Sequence, residues 1–188
     1  MEKIREYLSS IAHMSDRDWQ IFSSKLIKRE FPKQTVLLKS GETERYVSFI
    51  ETGIVRYYIP KDDNDITFSF TFSNSFTSGY DSFLTQGPSP YQIETLTNVI
   101  LWRLTYDDLQ HIYADTEVGQ TIGRHICEFI FLIKSKRELS LLNDTAEQRY
   151  LNLFIEEPYL IKHIPLKYIA SYIGVTPQGL SRIRRRIT

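Results

Sequence analysis

The sequence predicts an α+β protein: an antiparallel β barrel or jelly roll, then a long helix, then a terminal helix-turn-helix. Three observations support this class. Between Thr35 and Leu104, short runs of β-branched and aromatic residues alternate with turn residues. From Thr105 onward, the apolar residues recur with a helical period. The stretch from Pro165 to Arg186 has the spacing of two short helices that cross at a steep angle.

The first predicted element is a helix from Ser15 to Glu30. Ser15 can cap this helix, and Pro32 ends the segment. Four apolar residues share one of its faces: Trp19, Phe22, Leu26 and Ile27. The segment before it, Met1 to Ser10, carries four charged residues and no apolar core, so we expect no secretory signal.

Strands are expected from Val36 to Leu104. They are Val36–Leu38, Tyr46–Ile50, Ile54–Ile59, Ile66–Phe72, Tyr91–Leu96 and Val99–Leu104. In the clearest run Ile66, Phe68, Phe70 and Phe72 alternate with polar residues, which is typical of a half-buried strand. Turn residues at Asp62–Asn64 predict a hairpin between Ile59 and Ile66. Short antiparallel strands at this spacing favour a barrel or jelly roll over a parallel sheet.

Helices follow the strands. Thr105, with Asp108 three residues on, is expected to cap the start of the helical region. A long helix is expected from about Glu117 to Leu142. Six of its residues recur at intervals of four and three, the spacing of a coiled-coil seam: Ile122, Ile126, Phe129, Ile133, Lys136 and Ser140. This pattern predicts contact with a second chain, and the alternative is a core helix of a monomer. The run Thr145–Gln148 reads as a capping box that opens another helix.

The terminal segment meets several requirements of a helix-turn-helix. Apolar residues form a shared seam, with Ala170 small enough for close approach: Ile169, Ile173, Val175, Leu180 and Ile183. Gly174 lies where the first helix must end, a position that favours positive φ. Thr176 and Pro177 supply a hydroxyl cap and a first-turn proline for a second helix that runs to about Ile187. The alternative is an ordinary helical hairpin that closes a core.

Charge is distributed unevenly along a neutral chain of 23 basic and 23 acidic residues. Residues 158–188 contain six Lys or Arg and no Asp or Glu, which leaves 17 basic and 23 acidic residues before them. Four of the six basic residues, Arg182 and Arg184–Arg186, fall on the second terminal helix. This asymmetry indicates that the terminal module meets a polyanion.

Several classes of protein are excluded by composition. Cys127 is the only cysteine, so an internal disulfide, a zinc knuckle and a cysteine-ligated iron–sulfur cluster are not expected, and a reducing, cytoplasmic setting fits best. The longest apolar run, Ile126–Ile133, is short and interrupted by Glu128, so no membrane span is expected. The four histidines all lie outside the predicted barrel, which argues against haem ligation and against a cupin-type metalloenzyme: His13, His111, His125 and His163. We expect no catalytic residues and no metal site.

These parts, in this order, resemble the Crp/Fnr family of bacterial transcription regulators over essentially the whole chain. The matching runs are Gly41–Glu42, Tyr46–Arg56, Ile169–Thr176 and Leu180–Ile183. The resemblance implies three parts: a cyclic-nucleotide-binding-like effector domain over 1–115, a dimerisation helix over 116–143 and a DNA-binding helix-turn-helix over 144–188. It further implies a homodimer joined through Ile122, Ile126, Phe129 and Ile133, with double-stranded DNA as partner and RNA polymerase as a further candidate. The family usually continues into a β-hairpin wing after the second terminal helix, so either this chain lacks the wing or it continues beyond Thr188.

The resemblance also assigns roles on the terminal helices. The base-facing positions match Gln178, Gly179, Ser181 and Arg182. Arg182 is the candidate for bidentate recognition of guanine, and Gln178 for hydrogen bonding to a base edge. Phosphate contacts are expected from Lys167, Thr176, Arg185 and Arg186.

The barrel departs from the cyclic-nucleotide-binding members of the family. Their phosphate cassette pairs Gly-Glu with Arg-Ser or Arg-Thr, whereas this chain has Ser78-Gly79 and Ser89-Pro90 at the matching places. No Arg or Lys lies between Lys61 and Arg103 to neutralise a buried phosphate. We therefore expect no cofactor and predict that cyclic AMP is not the effector.

A different small-molecule effector stays open. It would have a candidate pocket at Ser78, Gly79, Tyr80, Phe83, Ser89 and Tyr91. The alternative function is a barrel that regulates a protein partner, with the terminal helices as the docking surface.

Overall fold

The computed structural model describes residues 1–187. The first half of the chain contains α1 (Glu2–Ile11), α2 (Asp16–Ser24), β1 (Ile27–Phe31), β2 (Val36–Leu38), β3 (Tyr46–Thr52), β4 (Ile54–Ile59), β5 (Ile66–Phe72), β6 (Ser75–Thr77), α3 (Tyr80–Thr85), β7 (Gln92–Thr95) and β8 (Val99–Thr105). Helices follow: α4 (Tyr106–Asp115), α5 (Gly119–Asn143), α6 (Ala146–Glu156), α7 (Pro158–His163), α8 (Leu166–Tyr172) and α9 (Pro177–Ile187). Within this part of the chain, no helix is both long and apolar enough to cross a membrane.

The strands form two four-stranded sheets, with the orders β1-β8-β3-β6 and β2-β7-β4-β5. Strand β8 pairs antiparallel with both β1 and β3, and β2 pairs antiparallel with β7. Phe49 of β3 and Leu101 and Leu104 of β8 are almost completely buried. The mixed class and the antiparallel sheets predicted from the sequence are therefore present.

The chain divides into two compact units. The first contains Met1–Tyr57 and Phe70–Phe129, and the second contains Tyr58–Ser69 and the residues from Ile130 onward. In the first unit, apolar residues of α1, α2, β3, α3, α4 and α5 form one core. In the second, apolar and tyrosine side chains of α6 to α9 and of the residues between these helices are buried: Tyr150, Leu153, Leu160, Ile164, Ile169, Ala170, Tyr172, Ile173, Leu180 and Ile183.

Three expectations about the elements are corrected. The helix predicted from Ser15 to Glu30 ends at Ser24, and Ile27–Phe31 is instead a strand that pairs with β8. Helix α1 was not expected, although its Ile4 and Leu8 are buried in the core of the first unit. In β5 the predicted alternation holds only in part, because the apolar Ile66 is 47% exposed and the polar Thr67 only 1% exposed.

The predicted seam of the long helix does not lie on one open surface. Ile122 is 5% exposed and belongs to the core of the first unit, against which Ile126 packs. Ile122 is therefore not available to a partner, and its assignment to the dimer contact is corrected. Phe129 and Ile133, by contrast, are 56% and 51% exposed.

Candidate nucleic-acid interface and effector pocket

The two terminal helices, α8 and α9, are joined by a tight turn. Gly174 has φ of 81°, a left-handed conformation that a residue with Cβ adopts at a cost. The turn is closed by a hydrogen bond from the Val175 amide to the Ala170 carbonyl at 2.9 Å. The Thr176 hydroxyl accepts from the Gly179 amide at 3.1 Å and so caps α9. The predicted cap and glycine stop are thus observed.

The buried side of this terminal helix pair is the predicted apolar seam. Ile169, Ala170 and Ile173 are fully buried, and Leu180 and Ile183 are 2% and 5% exposed. Because these residues lie along one stripe of α9, its polar residues lie on the opposite face. The pairing of α8 and α9 through an apolar stripe leaves a polar helix face open to solvent.

That open face brings together most of the predicted base-reading residues. An open surface concavity of about 550 Å³ is lined by Pro177, Gln178, Ser181, Arg182 and Arg185. Gly179 does not share it, because it is half-buried and faces the turn, where an added Cβ would lie 3.3 Å from the Val175 Cβ. The structure thus groups Gln178, Ser181 and Arg182 on one surface, and Gly179 lies outside it.

The predicted phosphate-binding residues have different surroundings. Arg185 lies on the same concavity, and the Lys167 ammonium lies 4.5 Å from the centroid of the Tyr168 ring. Thr176 uses its hydroxyl as the cap of α9. Arg186 forms an ion pair with Glu147 of α6, with 2.7 Å between Nη2 and Oε2. An anion at Arg186 therefore competes with a carboxylate of the same chain.

Two arginines that the sequence did not single out hold the end of α8. The Arg149 Nε donates to the Ile173 carbonyl at 2.9 Å, and its Nη1 donates to the Asp144 carbonyl at 2.5 Å. The Arg137 Nη2 donates to the Tyr172 carbonyl, and its guanidinium lies 3.7 Å from the centroid of the Tyr172 ring. Backbone carbonyls carry no side-chain pattern, so no sequence signal identified these contacts.

The turn between β4 and β5 also contacts α8 within the second unit. The Ser171 hydroxyl donates to the Asp65 carbonyl at 2.5 Å and accepts from the Thr67 amide at 2.8 Å. A single hydroxyl therefore satisfies one acceptor and one donor at the start of β5. This contact joins residues that are more than 100 positions apart.

The serines of the predicted effector pocket are engaged in hydrogen bonds within the chain. The Ser78 hydroxyl donates to the Tyr46 carbonyl at 2.9 Å. The Ser89 hydroxyl donates to the Tyr91 carbonyl at 2.9 Å, and Ser89 is only 2% exposed. The Ser78 contact holds the segment before α3 against β3, and the Ser89 contact holds the loop after α3 against its own backbone.

A buried carboxylate lies beside Gly79, the second residue of the degenerate cassette. Glu44 is 6% exposed, and its Oε1 accepts from the amides of Arg45 and Tyr46 at 2.9 and 3.0 Å. Its Oε2 accepts from the Gly79 amide at 3.2 Å. A carboxylate of the chain therefore already occupies amide donors at this point, a feature that the sequence analysis missed.

The barrel does contain one deeply buried cation, Arg56 on β4. It is 2% exposed, and its Nη1 lies 2.8 Å from the Oε1 of Glu94 on β7. A buried charge needs such a partner, because its desolvation is otherwise uncompensated. Arg56 is thus matched by a carboxylate inside the barrel.

The aromatic residues of the predicted pocket take part in packing. Phe83 is fully buried in the core of the first unit, with its ring centroid 6.0 Å from that of Tyr80, so it is not a pocket wall. Burial raises the pKa of Tyr91, and the hydrogen bond that its hydroxyl donates to Asp81 raises this pKa further. Among residues 1–187, no group of three or more His, Cys, Asp or Glu is placed to hold a metal ion.

Comparison with known proteins finds a family model that is similar to part of the chain. Residues 28–116 match the family model of the cyclic nucleotide-binding domain. Comparison with curated protein sequences finds no match. The family and the structural neighbours are regulatory proteins, not enzymes.

The structural neighbours extend beyond that domain. The c-di-GMP responsive global regulator CLP of Xanthomonas campestris is 16% identical, with a TM-score of 0.70 over 92% of this chain and 91% of that chain. FixK2 of Bradyrhizobium japonicum is 17% identical, with a TM-score of 0.71 over 86% of this chain and 84% of that one. A protein of Eubacterium rectale assigned to the crp/fnr family of transcriptional regulators is 17% identical, with a TM-score of 0.68 over 92% and 83%. Residues 28–116 therefore resemble a cyclic nucleotide-binding domain, and the chain shares the fold of these three proteins.

Proposed function

We propose that the chain is a cytoplasmic, dimeric, sequence-specific DNA-binding regulator of transcription. In this proposal α8 and α9 are the helix-turn-helix, and α5 joins two copies behind jelly-roll effector domains. The observation that carries it is the open face of α9, on which Gln178, Ser181 and Arg182 lie side by side while the opposite stripe is buried. RNA polymerase is the further partner that such a regulator meets.

The chemistry of that face suits the edges of bases. Arg182 presents a planar donor fork that matches the acceptors of guanine, and the Gln178 amide both donates and accepts, as adenine requires. Arg185, on the same concavity, supplies a charge for the phosphate backbone. A two-fold dimer places two such faces in successive major grooves, with half-site centres about one helical turn apart.

In vitro selection of duplex DNA by the purified protein tests this proposal. We expect an enriched palindrome for the wild type, and its loss or relaxation at one position per half-site for Arg182→Ala. Arg124→Ala is the matched control, because Arg124 is an exposed arginine that pairs with Glu128 on α5. No enrichment by the wild type would overturn the proposal and favour a barrel that regulates a protein partner.

We further propose that cyclic AMP is not the effector. Arg56, the buried cation of the barrel, faces Glu94, and the amide of Gly79 already binds the Glu44 carboxylate. A cyclic phosphate would have to displace a carboxylate or break an ion pair, without the arginine that the family cassette supplies. Calorimetric titration with cyclic AMP should show no binding, and a micromolar or tighter dissociation constant would overturn this point.

A further inference from the structure

A short joint separates the long helix α5 from helices α6 to α9, which we call the reading head. Helix α5 ends at Asn143 and α6 begins at Ala146, so two residues outside either helix join them. Such element ends are where a chain hinges most easily. In a dimer joined through α5, the orientation of each head on its own α5 sets the distance between the two copies of α9.

Two arginines, one on the helix before this joint and one on the helix after it, bind carbonyls at the end of α8. Arg149 of α6 binds the Asp144 carbonyl in the joint and the Ile173 carbonyl that follows α8. Arg137 of α5 binds the Tyr172 carbonyl, and its guanidinium lies 3.7 Å from the centroid of the Tyr172 ring. Both guanidinium groups are therefore anchored at the same end of α8, one from α5 and one from α6.

The groups that they bind are well suited to a charged donor. The last carbonyls of a helix have no partner within the helix and carry its partial negative charge. Hydrogen bonds from a guanidinium are stronger than those between neutral groups, and its planar fork fixes direction as well as distance. Because Ile173 and Gly174 lead directly into α9, fixing the end of α8 fixes the direction of the reading helix.

We propose that Arg137 and Arg149 are positioning residues that set the spacing between the two DNA half-sites read by the dimer. This inference rests on the proposed DNA-binding function. Consecutive base pairs are displaced by about 3.4 Å and rotated around the helix axis, so a head held rigidly fits one spacing and a loose head fits several. Neither arginine lies on the concavity that contains Gln178 and Arg182.

The test compares Arg149→Met with the wild type on the selected operator. Methionine keeps an unbranched apolar stem without the donors. Affinity is measured for the selected spacing, for spacings changed by one and two base pairs, and for a single half-site. We expect the preference for the selected spacing to fall by about tenfold, the difference that 1.4 kcal/mol represents. The half-site affinity and the enriched half-site sequence should stay as in the wild type.

Controls separate positioning from a general structural role. Arg124→Met removes an exposed arginine of α5 and should leave the spacing preference unchanged. Arg137→Met tests the second contact independently, in case Arg149→Met does not fold, as judged by circular dichroism. An unchanged spacing preference in a folded, dimeric variant overturns the inference, and so does an equal loss of affinity on every DNA, including the half-site. If the wild type selects no DNA, the proposed function fails, and the inference fails with it.

Discussion

Phe129 provides the sharpest test of how two copies associate. Its side chain is 56% exposed in the single chain. Aromatic side chains bury about 150–250 Å² in full, so roughly 80–140 Å² remain open, worth about 2–3.5 kcal/mol at about 25 cal/mol per Å². In a two-fold dimer each residue of the contact occurs twice, once in each copy, so its contribution is doubled. Phe129→Ala should therefore weaken the dimer by about 4–7 kcal/mol, a factor of roughly 10³ to 10⁵ in its dissociation constant.

The assay is sedimentation equilibrium over a concentration series, with circular dichroism to verify the fold of each variant. Phe131→Ala is the matched control. Phe131 is the same residue type, is 69% exposed and lies two positions along α5, which places it on the opposite side of the helix. We expect Phe129→Ala to dissociate at concentrations where the wild type and Phe131→Ala remain dimers.

Two results would refute this reasoning. If Phe131→Ala dissociates and Phe129→Ala does not, the contact lies on the other face of α5. If both variants stay dimeric at the lowest measurable concentration, then α5 does not carry the dimer at all.

Three further predictions concern the second unit. Glu147→Gln releases Arg186 from an exposed ion pair worth about 0.2–1 kcal/mol. Because a dimer has two such pairs, it should bind both specific and random DNA about two- to thirtyfold more tightly at low salt. Fluorescence anisotropy measures this, and equal affinities at low salt would contradict it. Burial raises the pKa of Tyr172 to about 12. The unfolded state therefore releases the phenolic proton at a lower pH than the folded state does, and the stability conferred by Tyr172 is lost as pH rises from about 10 to 12. Chemical denaturation should show the wild type losing stability relative to Tyr172→Phe over that range, whereas parallel curves would exclude it. Gly174→Ala forces a side chain to φ of 81° and should cost about 1 kcal/mol, with Gly174→Asn costing less. Equal thermal midpoints for the wild type and both variants would show that the conformation is unstrained.

Local sequence patterns were sufficient to predict much of the secondary structure. Strands β2, β4 and β5 begin and end at the predicted residues, and the cap at Thr176 and the stop at Gly174 are present. Each of these features depends on side chains within a few positions of one another. The sequence therefore contained the whole signal at these points.

Elements that depend on distant partners were missed. The segment Ile27–Phe31 continues an apolar helical pattern, yet it forms a strand because β8, some 70 positions later, offers an unpaired edge. Ile122 has the spacing of a seam, but the core of the first unit already covers it. At the site, Glu44, Arg137 and Arg149 were missed because each binds backbone amides or carbonyls.

The contact between Ser171 and the turn before β5 bears on how the chain is made. Ser171 follows Thr67 by 104 residues, and both belong to the second unit. At translation rates of about 5–20 residues per second, this turn leaves the ribosome roughly 5–20 s before its partner. The second unit therefore closes only when nearly the whole chain has been synthesised. A fragment that begins at Ile130 lacks the carbonyl of Asp65, and a fragment that stops short of Ser171 leaves the start of β5 uncovered. The second unit is consequently completed by a segment made early in the chain, and its expression as a separate contiguous piece removes part of its own structure.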